Sequence, residues 1–135
     1  MSNRLAAIAL AGLAAVGLTG CGTGEREQDA IEVVERFHAA LERGDGAGAC
    51  EELSDGTRSE LESREKRPCE EAILTLELPE GGRPLNPRVF QTSAAVDLAE
   101  GGTDFLDEGS RGWTISAAGC EPGAPEQPYD CELEG

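Results

Sequence analysis

Chemistry in this 135-residue chain rests on few side chains. His38 is its sole histidine. It stands four residues after Val34 and seven after Ile31, so it borders an apolar helical stripe and can look into a pocket. A histidine placed that way can serve as a general base near neutral pH. The plainer role is a boundary residue holding a hydrogen bond. Five cysteines offer oxidation or metal ligation, but no two have Cys-x-x-Cys spacing and His38 is remote from them in sequence. Neither a metal site nor a cofactor is therefore expected. Gly-x-Ser-x-Gly and His-Glu-x-x-His are absent. The glycine-rich Gly44–Gly48 lacks the Gly-Lys-Ser/Thr ending of a phosphate loop, and Asp45 and Asp55 lack EF-hand spacing. The acid pairs Glu51-Glu52 and Glu70-Glu71 read as solvent-facing. No catalytic set emerges, and the chain reads as a non-enzyme.

Cys21 differs from the other cysteines in what precedes it. Met1 to Arg4 carries one positive charge, and Leu5 to Leu18 is almost purely apolar. Fourteen residues rise only about 21 Å as a helix, short of the ~30 Å hydrocarbon core, which fits a secretory leader better than a spanning helix. Leu18-Thr19-Gly20-Cys21 resembles the lipobox of bacterial lipoproteins. That resemblance implies a diacylglyceryl group on the Cys21 thiol and cleavage just before it. Residues 1–20 are then the leader, Cys21 is the first mature residue, and the domain is anchored by lipid to the outer face of the cytoplasmic membrane. Two or more acyl chains hold a protein firmly where one does not.

Removing the leader takes away Arg4 and no acid. Ten basic residues then face 27 acidic ones, a formal charge of −17. Such a charge excludes nucleic acid as a partner, because the phosphates would repel it. It also predicts that the domain stands off anionic headgroups. With Cys21 acylated, Cys50, Cys69, Cys120 and Cys131 remain, an even number for an oxidising compartment. Four cysteines allow three pairings. The neighbour pairing, Cys50 with Cys69 and Cys120 with Cys131, would close two short loops.

The elements that must position these groups follow from pattern. Gly22 to about Arg26 reads as a polar tether, and the block 21–28 as lipidated cysteine plus tether. From Glu25 to Arg43, Ala30, Val34, Phe37 and Leu41 recur at helical spacing, with Ile31, Val33 and Ala40 widening the stripe. Gly44 is a natural stop. Asp45 can cap a short second helix, Ser54 or Thr57 a third, and Pro68 fits the first turn of a fourth. Pro79-Glu80-Gly81-Gly82 and Pro84 to Pro87 break the pattern. Beyond them Ala94, Val96 and Leu98 alternate as in a strand, flanked by strands at Arg88–Thr92, Thr103–Asp107 and Trp113–Ala117. Trp113, Ile115 and Ala117 are expected to share a face. The end, 120–135, reads as a tail clipped by its cysteines.

Helices followed by a meandering antiparallel sheet make an α+β chain. Gly44 to Cys50, Cys69-Glu70-Glu71-Ala72, Gly112-Trp113-Thr114-Ile115 and the span Cys120 to Cys131 together resemble the NTF2-like (SnoaL-like) superfamily, and more narrowly its small actinobacterial lipoproteins. The resemblance implies a cone over residues 29–119, with N-terminal helices packed on a curved antiparallel sheet. It also implies a module for a small apolar ligand or an envelope protein, with self-pairing into a homodimer within the family's range. Enzymes of that superfamily place Asp, His or Tyr inside the cone. His38 is the one candidate here for an isomerase- or dehydratase-type alternative, and a structural, self-associating envelope domain is the other.

Overall fold

The computed structural model describes residues 22–79 and 82–135. Cys21 and the expected lipobox residues Leu18, Thr19 and Gly20 lie outside the described residues. Helix α1 (Thr23–Glu42) is followed by α2 (Gly46–Glu51), α3 (Asp55–Glu65), α4 (Cys69–Ala72) and a 3₁₀ turn, Ile73–Thr75. Strands β1 (Pro84–Phe90), β2 (Ser93–Leu98), β3 (Thr103–Gly109), β4 (Gly112–Glu121) and β5 (Asp130–Glu134) form one antiparallel sheet in the order 1-2-3-4-5. The chain is α+β, helices first. No helix among the described residues is long and apolar enough to cross a membrane.

α1 buries Ala30, Val33, Val34, Phe37, His38 and Ala40 along one stripe. The stripe lies on the inner sheet face, where Ala94, Val96, Leu98, Leu106, Ile115, Ala118 and Leu133 complete the core. Gly44, at φ 68°, takes the left-handed position that ends α1 without a Cβ clash. The Asp45 carboxylate accepts from the Gly48 N–H at 2.9 Å and Ser54 Oγ from the Thr57 N–H at 3.1 Å, so α2 and α3 each begin on a side-chain cap. Gly46 lets α2 approach α4 closely, for a Cβ there would fall 1.9 Å from the Glu70 carbonyl oxygen.

Two disulfides, Cys50–Cys69 and Cys120–Cys131, close the structure. The first joins α2 to the start of α4. The second bridges directly paired positions of β4 and β5. The neighbour pairing is thus the one formed.

Four features differ from the pattern reading. α1 begins at Thr23, so 23–28 is helix rather than tether. Its first turn is held from outside the helix: the Arg26 guanidinium donates to the Gln91 carbonyl and the Glu108 carboxylate and lies over the Trp113 ring, 5.1 Å from its centroid. Pro84 and Pro87 sit within β1, which tolerates them as an edge strand with a register shift between Leu85 and Arg88. Ala117 leaves the face of Trp113 and Ile115, because the β3–β4 register slips between Leu106↔Ile115 and Phe105↔Ala117; Ala118 is buried in its place. The last block is more than a tail clipped by its disulfide, since 130–134 also pair with β4 as a fifth strand. The rest of that β4 edge is covered by the α2–α3 connection: the Ser54 N–H donates to the Ile115 carbonyl at 2.9 Å and the Ile115 N–H to the Glu52 carbonyl at 2.8 Å.

On the outer face, Arg88 makes a two-pronged pair with Asp97, at 2.7 and 2.9 Å, and Thr103 Oγ1 donates to the same carboxylate at 2.9 Å. The Arg88 hydrogen bond, helped by those of Thr103 and Asn86 and opposed by burial, holds the Asp97 carboxyl below the ordinary range. A carboxyl lowered on folding contributes stability above its unfolded value, about pH 4, and loses it as pH falls through the folded value. Arg88→Ala should therefore cost up to about 1 kcal/mol at neutral pH, the range of partly exposed pairs, and flatten the loss of stability on acidification below about pH 4. Urea unfolding from pH 6 to pH 2 reads both. Replacing both members of either disulfide by alanine should cost about 3 kcal/mol by the chain-entropy relation, measured under oxidising conditions against the parent.

Candidate functional site

His38 lines one of the surface clefts but is itself almost wholly covered. It is 2% exposed, and the residue it meets is Asp104, which is fully buried. Helical spacing brings His38 to the inner side of α1. Strand alternation does the same for Asp104, which shares the inward side of β3 with Leu106 and lies opposite Val96 of β2. Nε2 of His38 stands 2.6 Å from Asp104 Oδ2, and Nδ1 stands 3.2 Å from the Pro79 carbonyl oxygen. The other carboxylate oxygen, Oδ1, accepts the Gly119 N–H at 3.2 Å. β4 carries an extra residue at this point, between the pairs Thr103↔Cys120 and Phe105↔Ala117, and Gly119 there has φ 64°. Such a bulge turns an amide inward that a regular ladder would spend on its neighbour strand.

One side chain and one stretch of backbone pack on the imidazole. Phe37 meets it edge-on at 5.1 Å between centroids. The Gly82 backbone covers it so closely that a Cβ would lie 2.6 Å from the ring, so any other residue there would force a shift. A surface cleft of about 220 Å³ is lined by Glu35, His38, Ala39, Glu42, Gly82, Arg83 and Pro84, so the imidazole forms part of its wall.

The ring thus has both nitrogens engaged inside the protein, and one side chain ties α1 and β3 to the backbone at Pro79. Tyr129, the other group with proton-transfer chemistry, packs edge-on against Phe105 at 5.0 Å and is 41% exposed on the outer face. It is far from the inward-facing Asp104 side of β3. Among the described residues no group of three or more His, Cys, Asp or Glu side chains is arranged to hold a metal ion.

No protein-family model, curated protein or solved structure matches this chain. What the chain does must therefore be argued from its own residues.

Asp104 is the residue that pattern reading passed over. It stands at an inward, fully buried position of β3 beside Leu106, where an acid requires a buried partner. The space between α1 and the sheet is otherwise filled by Val34, Phe37, Val96, Leu106 and Ile115, all fully buried. The described clefts, about 200 to 270 Å³ each, open at the surface. One of them runs along Leu41, Glu42, Ile73, Leu74, Leu76, Leu78 and Pro79.

His38→Leu or Asp104→Leu alone should destabilise by about 1–3 kcal/mol, because each leaves a buried polar group without its partner. The double replacement should cost well below the sum. A double-mutant cycle in denaturant measures the coupling; additive costs would show that the two side chains do not act as a pair.

Proposed function

We propose that the chain is a lipid-anchored extracytoplasmic lipoprotein whose α+β domain, of NTF2-like type, works as a binding module through its surface rather than as an enzyme. One observation carries this reading: of five cysteines, four are consumed in two disulfides within the folded domain, and the one left over is Cys21, the residue that ends an apolar leader and fits a lipobox. Disulfides belong to oxidising compartments, which is where such a leader would deliver the domain. A single odd thiol beside four paired ones asks for its own chemistry, and acylation supplies it.

The filled interior favours surface contact over an enclosed ligand. A small apolar ligand would need room that Phe37, Leu106 and Ile115 now occupy. A partner protein needs none. The acid excess of the domain favours a partner with a basic face. The helices-then-meander order supports the NTF2-like assignment as a topology; it lends the domain no reaction.

Cells fed an alkyne fatty acid should incorporate it into this protein at Cys21, and mass spectrometry should find the mature chain starting there. Cys21→Ser should abolish labelling and leave the leader uncut. A parent chain that is unlabelled, or that begins at another residue, would overturn the proposal.

A further inference from the structure

We propose that one end of the domain, the end bearing Phe90, rests on the bilayer that holds the lipid; this deepens the lipoprotein reading and depends on it. The first step is chain length. Helix α1 starts at Thr23, two residues after Cys21, and two residues span at most about 7 Å. A lipid on Cys21 therefore leaves no slack between headgroups and folded domain, contrary to the stand-off expected from charge alone.

The second step is what lies at that end. Arg26, one turn into α1, bonds the Gln91 carbonyl in the β1–β2 turn and Glu108 beside the β3–β4 turn, and covers Trp113. The Glu108 N–H donates to the Thr92 carbonyl at 2.8 Å, which ties the two turns together. Both hairpin turns are thus gathered around the start of α1. Phe90 lies next to this knot. It is 69% exposed, the most exposed large apolar side chain described. Interfacial surfaces bury Phe, Trp and Leu side chains at the boundary of headgroups and acyl chains.

The third step is charge. Arg26 and Arg111 stand at this end against Glu25, Glu27, Asp29, Asp55, Asp107 and Glu108. Acids prevail, so attraction to anionic headgroups is not what brings the end down. The short covalent connection does that, and Phe90 gives the contact its apolar point. The opposite end, with the Leu74–Leu78 groove and the β2–β3 turn, then points away from the membrane.

The test uses the full lipidated protein in phosphatidylcholine nanodiscs with brominated acyl chains. Phe90→Trp adds a reporter at a surface position, and the parent, whose only tryptophan is the buried Trp113, is the baseline. Expected is a loss of emission in the variant beyond that of the parent, and its disappearance when a twenty-residue Gly-Ser linker is inserted between Gly22 and Thr23. A lipidated variant quenched no more than the parent would overturn the orientation and leave the anchor standing. Absence of lipid on the N-terminal peptide, read by mass on the same sample, would overturn both and tells the two failures apart.

Discussion

The constraint on this fold is the thinness of its apolar interior. Five aromatic residues serve the whole chain, and two of them, Phe90 and Tyr129, are exposed. The core is built largely from Ala, Val, Leu and Ile, whose burial contributes less per residue than an aromatic side chain. Around it sits a large excess of acid, which repels itself in the compact state. Two devices offset this. Disulfides stabilise without needing side-chain volume, and each is placed where helical or strand pieces are too short to hold themselves: the four-residue α4 and the five-residue β5. Arginines spread over the surface pair with the acids: Arg36 with Glu52, Arg64 with Glu65, Arg88 with Asp97 and Arg111 with Asp55. Each is worth little alone, but together they lower the density of unopposed charge.

Within that core, the His38–Asp104 pair is costly to bury and adds little net stability over an apolar pair of the same size. Its value lies in position. An apolar helix face could slide along an apolar sheet by a turn at small cost. Only one axial setting of α1 brings His38 to Asp104 and to the Pro79 carbonyl together, and only the Gly119 bulge satisfies the remaining carboxylate oxygen. The pair therefore reads as a register pin, and the glycines at 82 and 119 are the backbone features it requires.

Much of the architecture was legible from residue order. The α1 stripe, the Gly44 stop, the caps at Asp45 and Ser54, and the alternation of Ala94, Val96 and Leu98 are local signals, and local signals survive into the fold. What escaped was set by contacts distant in sequence. The helical start at Thr23 depends on Arg26 reaching Gln91 and Glu108, more than sixty residues away. The displacement of Ala117 depends on a register slip, and period-2 reasoning carries one phase through a strand and cannot see it change. β5 was hidden because its five residues carry three acids, and only Leu133 turns inward. His38 was visible as a boundary residue; its partner was not, because pairing a helix position with a strand position requires the topology first.

On the proposed reading recognition falls to the surface, and the surface is not uniform. The outer sheet face carries an ordered polar and aromatic arrangement, Arg88–Asp97–Thr103 beside Phe105 and Tyr129, held in fixed rotamers by mutual contacts. Side chains already held in place lose less freedom on binding than free ones. The acids of α1, by contrast, make few such contacts, and their contribution is long-range attraction and solubility. On the proposed reading, a partner carrying basic residues would be drawn by the second surface and recognised by the first. That division follows from rigidity and charge alone and needs no interior cavity.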